Sequence, residues 1–70
     1  MEKVVSENFG CKIVERNSEL FIQYDNGQAG SWIVENKITV DEAKKATLSG
    51  KDAYEVILAA GKREKPKRVS

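Results

Sequence analysis

Cys11-Lys12-Ile13-Val14-Glu15-Arg16-Asn17-Ser18-Glu19-Leu20-Phe21-Ile22-Gln23-Tyr24 is the stretch whose pattern settles the fold class. Its first half alternates loosely around a β-branched centre. Its second half alternates cleanly, with Leu20, Ile22 and Tyr24 on one face. Asn17-Ser18 has the length of a tight turn between them, so the stretch predicts a β-hairpin. Asp25-Asn26-Gly27 then ends the second strand, because Asn and Gly accept the positive φ that turns demand.

Downstream, Ser31-Trp32-Ile33-Val34 is β-branched and aromatic and reads as a third strand closing a meander. The alternative is the first turn of a helix running to Asn36. The period then changes. Thr39-Val40-Asp41-Glu42 matches a capping box and predicts a helix over residues 40–47. Ser49-Gly50-Lys51-Asp52 repeats the spacing and opens a second helix carrying Ala53, Tyr54, Val56, Ile57, Leu58 and Ala60, with Gly61 as its stop. That helix is apolar over more than half its circumference and reads as the central core element, with Ile57 fully buried. The class is therefore α+β: a small antiparallel sheet of two or three strands covered by a C-terminal αα-hairpin, in the order ββ(β)αα. Residues 1–61 form the single domain. Residues 62–70, with Pro66, high charge and little apolar content, read as a disordered tail.

Composition bounds the rest. A chain of 70 residues builds one core and is marginal on its own. Its 40% hydrophobic and 33% charged residues are an ordinary globular balance. One Cys and no His remove disulfide and metal staples, which leaves homodimerisation as the remaining cheap stabiliser. The lone Cys11 also points to a reducing, cytoplasmic compartment. No signal-peptide pattern opens the chain, and no stretch nears the roughly 18 apolar residues of a membrane span. Net charge is +1 but uneven. Residues 1–36 hold three basic and six acidic side chains, residues 37–60 hold four of each, and residues 61–70 hold Lys62, Arg63, Lys65, Lys67 and Arg68 against Glu64.

Without His, neither a Ser-His-Asp nor a Cys-His arrangement can be assembled. Asp41, Glu42, Asp52 and Glu55 stand where acids complement a helix dipole, and they read as structural. Cys11, beside Ile13, reads as a small buried hydrophobe. Gly27-Gln28-Ala29-Gly30 has the spacing of the GxxG backbone clamp of KH domains, but it follows a strand, carries no cation and stands beside Asp25. It reads as a flexible connection. The two helices have helix-turn-helix proportions, yet Lys51-Asp52-Ala53-Tyr54-Glu55 offers a DNA groove one cation against two acids. No enzyme, cofactor or metal is expected.

The leading expectation is a non-enzymatic protein-interaction or regulatory module that binds another protein or itself through the open sheet face, a sheet edge or a patch around Trp32 and Tyr24. The alternative is a nucleic-acid-associated protein whose electrostatics come from Lys62, Arg63, Lys65, Lys67 and Arg68.

Overall fold

The computed structural model describes residues 2–25 and 33–69. They form β1 (Lys3–Asn8), β2 (Cys11–Arg16), β3 (Glu19–Asp25), β4 (Ile33–Ile38), α1 (Val40–Ala46), α2 (Gly50–Arg63) and β5 (Lys67–Arg68). The strands make one antiparallel sheet in the order β1-β2-β3-β4-β5. The α+β class and the C-terminal helix pair are as the sequence predicts, but the sheet has five strands rather than two or three.

The predicted hairpin is β2 and β3, paired from Cys11↔Tyr24 to Arg16↔Glu19. Asn17 and Ser18 between them both adopt positive φ, 53° and 65°, the two-residue geometry whose twist matches that of the flanking strands. The same device adds β1: Phe9 (φ 56°) and Gly10 (φ 76°) turn the chain between Asn8 and Cys11. The third strand is adopted from Ile33 onward and continues to Ile38, so the helical alternative for this segment is not the one taken. Trp32 lies outside the described residues.

Alternation puts Cys11 and Ile13 of β2, Leu20, Ile22 and Tyr24 of β3, and Asn36 and Ile38 of β4 on one face. Ala43 and Ala46 of α1 and Ala53, Val56 and Ala60 of α2 pack on it. Four of these five helix residues are alanine, which lets the helix backbones approach the sheet closely. Ile57 sits at the margin of this core, and Val56 is the fully buried residue, correcting the expectation for Ile57.

Both helices start on side-chain caps. The Thr39 hydroxyl accepts the Glu42 amide at 3.1 Å while the Glu42 carboxylate accepts the Thr39 amide at 2.9 Å. Ser49 accepts the Asp52 amide at 3.0 Å. α2 does not stop at Gly61 but runs to Arg63, capped by Glu64. Its end is held from the sheet: the buried Asn36 Nδ2 donates to the carbonyls of Ala60 (3.4 Å) and Glu64 (2.7 Å), and Arg63 donates to Glu42 and to the Lys37 carbonyl. Beyond it, Lys67 and Arg68 pair with Glu35 and Val34, where the sequence suggested a structureless tail.

The other face of the sheet carries its own lid of charges. Val14, fully buried, lies in a row with Val4 and Phe21. Arg16 crosses the Phe21 ring at 4.6 Å to reach Glu35 with both terminal guanidinium nitrogens, at 2.8 and 3.2 Å. Glu2 accepts from Arg16, Gln23 donates to Glu35, and Lys37 pairs with Glu19. The sheet edges are blunted as well. β1 carries a bulge at Val5, and β5 is short and basic.

Candidate functional site

Among the described residues, those singled out by sequence do not converge. Tyr24 is half-buried, its hydroxyl donates to Asn36 Oδ1 at 3.2 Å, and burial pushes its pKa up, so its polar end is spent inside the fold. Among the tail cations, Arg63 is forked onto Glu42. Lys67 and Arg68 are successive residues of β5 and so point to opposite faces, Lys67 lying opposite Glu35 and helping to hold that carboxyl below its ordinary pKa. Lys62 and Lys65 are exposed. The acids at the helix starts are engaged structurally: Glu42 by Thr39 and Arg63, Asp52 by Ser49, and Glu55 by Lys45 at 2.9 Å.

Cys11 is buried, donates to the Asn8 carbonyl at 3.2 Å, and has its thiol pKa raised by desolvation. Both features lower its thiolate fraction, and the thiolate is the nucleophilic form. Cys11 itself lines an open depression of about 450 Å³ together with Glu7, Asn8, Phe9, Lys12 and Tyr24 among others, and its thiol donates to the Asn8 carbonyl rather than to a base. Among the described residues no group of three or more His, Cys, Asp or Glu is placed to hold a metal ion, and no helix is long and apolar enough to cross a membrane.

What the structure assembles instead is an apolar strip along the outer side of α2. Gly50, Tyr54 and Leu58 succeed one another at i, i+4 and i+8 and so share one line of the helix surface. Tyr54 is 61% and Leu58 45% exposed. Phe9, 53% exposed, extends the line beyond the helix start: a Cβ on Gly50 would meet its ring at 3.7 Å. Ile57 backs the strip from the core margin. The signal for half of this site was present in the sequence, since a helix apolar over more than half its circumference exceeds what one sheet face can cover. Phe9 gave no signal, because nothing marks a Phe for a positive-φ turn position. Compared with family models, with curated proteins and with solved structures, the chain matches none.

Proposed function

We propose that this protein is a non-enzymatic interaction module that docks another protein on the strip formed by Phe9, Tyr54 and Leu58. Phe9 carries the reading. A bulky residue at φ 56° is uncommon and costs roughly 1–2 kcal/mol where Asn or Gly would sit at ease. It is also left half in solvent, in line with two more exposed apolar side chains. A turn that needed only to turn has no use for it, whereas aromatic side chains in line are what interface centres are built from. The ion pairs over the open sheet face and the blunted edges make those surfaces poorer candidates. The nucleic-acid alternative draws less support, because Arg63 is already forked onto Glu42 and Lys67 and Arg68, successive residues of β5, point to opposite faces rather than along one track. The single buried Cys11 supports placing the module in a reducing, cytoplasmic compartment.

A photo-crosslinking amino acid at position 54, used in the native cells, is expected to give a discrete adduct with a second protein. Adding Leu58→Asp or Phe9→Asn should remove the adduct, and Phe9→Asn should do so without lowering the melting temperature because Asn suits the turn. The same label at position 44, on α1, is the control. Equal adducts at 54 and 44, or adducts indifferent to Leu58→Asp, would sink the proposal.

A further inference from the structure

We propose that the occupant of this strip is an acidic amphipathic helix of another protein, whose carboxylates meet Lys51 and Lys62; this rests on the reading of the strip as a docking surface. Charge complementarity selects that occupant. α2 carries Lys51, Asp52, Glu55, Lys62 and Arg63. Three of these are already paired: Asp52 accepts from Ser49, Glu55, which shares the helix side of Lys51 and Lys62, is neutralised by Lys45 at 2.9 Å, and Arg63 is forked onto Glu42. Among the described residues no ion pair engages Lys51 or Lys62, which lie beside the strip at its two ends. Lys51 is three residues before Tyr54 and seven before Leu58, and Lys62 is four after Leu58, so all four share a helix side.

Lys62 has an ordinary reason to be where it is, since a cation in the last turn suits the helix dipole. Lys51 has none. A cation in the first turn opposes the dipole and weakens the helix. Two choices that cost the fold, a Phe at positive φ and a Lys at a helix start, therefore fall on one strip. The two lysines are separated by eleven residues, about 16 Å along the axis. A helix of about three turns, with apolar residues at i, i+3, i+4 and i+7 and an acid near each end, fits that spacing.

Other occupants fit worse. A second copy would bring its own lysines, and an antiparallel meeting of two strips sets Lys51 against Lys62, like charge on like. A nucleic acid needs a continuous track of cations, and here Tyr54 and Leu58 stand between them.

The test uses fluorescent helical peptides of about 18 residues, roughly five turns, sharing one apolar stripe and flanked by Glu, Gln or Lys. The Glu peptide is expected to bind the intact protein about tenfold tighter than the Lys peptide, with the gap narrowing as salt shortens the Debye length. Lys51→Glu combined with Lys62→Glu should invert that order, while Lys44→Glu on α1 leaves it unchanged. Thermal melts of each variant verify that the fold persists. Equal binding of all three peptides, abolished by Leu58→Asp, overturns the acidic occupant but keeps the docking strip. Absence of binding, or binding untouched by Leu58→Asp, overturns both. Tighter binding of a single-stranded oligonucleotide than of the Glu peptide also overturns the inference.

Discussion

Asn36 holds together elements that are far apart in sequence. Its side chain is buried on the helix-facing side of β4, where a strand residue is ordinarily apolar, and each of its polar atoms is used. The Oδ1 accepts from Tyr24, and the Nδ2 donates to two carbonyls at the end of α2. The last turn of a helix has carbonyls without intrahelical partners, and buried polar groups left unmatched are costly. A sheet residue that supplies the donor missing at the Glu64 carbonyl, and a second donor to the Ala60 carbonyl beside the Glu64 amide, helps α2 continue past a glycine that would normally end it. Asn36→Leu keeps the branched shape and the number of heavy atoms but removes the donor and strands the Tyr24 hydroxyl. It is expected to cost about 1–3 kcal/mol in urea unfolding. Tyr24→Phe alone should cost less, and combined with Asn36→Leu it should cost less than the sum of the two, since each variant orphans the other's partner. Strict additivity would mean the two side chains do not act as a pair.

At the scale of elements, α2 shows how far local rules reach. Gly61 reads as a stop because Gly favours the left-handed conformation at helix ends. In the fold it is an ordinary helical residue with nothing within 4 Å of where a Cβ would be. Gly61→Ala should therefore stabilise the protein by about 0.5–1 kcal/mol, through the smaller backbone entropy of the unfolded chain. A loss of stability in thermal melts would show that the position needs glycine after all. The helix starts were legible because their signals are local: Thr39 with Glu42, and Ser49 with Asp52, lie within one turn of each other. The β2–β3 hairpin was legible for the same reason. β1 was not, because its turn places a Phe where turn chemistry calls for Asn or Gly, and its Val4-Val5 pair is too short to show a period. β5 was not, because Lys67-Arg68 has no strand character of its own and is ordered by the edge of β4 beside it. Of the strip, Tyr54 and Leu58 were read as core. That α2 has apolar surface to spare was legible, but which residues are left over follows only from how the helix sits on the sheet.

For the molecule as a whole, helices cover one face of the sheet and ion pairs over Val14 and Phe21 cover the other, so stability depends on pH through the ion pairs of both layers. The Arg16 guanidinium holds Glu35 below its ordinary carboxylate pKa, with Gln23 and Lys67 assisting, and Arg63 and Thr39 do the same for Glu42. A folded pKa below the unfolded value stabilises above the unfolded value, about 4.3 for Glu, and that contribution is lost as pH falls through the folded pKa. Melting temperature should thus be flat near neutrality and decline below about pH 4.5, and Glu35→Gln should shrink that decline. An unchanged acid limb in Glu35→Gln would mean the Arg16 pair contributes nothing.

The chain end gives a sharper test on the same scale, because two truncations separate two jobs. Ending the chain after Glu64 removes β5 but keeps the Arg63 fork and both carbonyls held by Asn36. The core should remain, with cooperative unfolding, but the backbone groups of β4 that β5 covers become a bare edge, Ile33 losing the amide of Val69 at 2.7 Å. Such an edge pairs with other chains, so this form should associate as its concentration rises in sedimentation. Ending the chain after Gly61 also removes Arg63 and the Glu64 carbonyl, which leaves Asn36 with a single acceptor and Glu42 without its cation. Its urea midpoint should fall clearly below that of the longer truncation. If both truncations unfold at the midpoint of the full chain and stay monomeric, residues 62–69 neither hold the end of α2 nor guard the sheet.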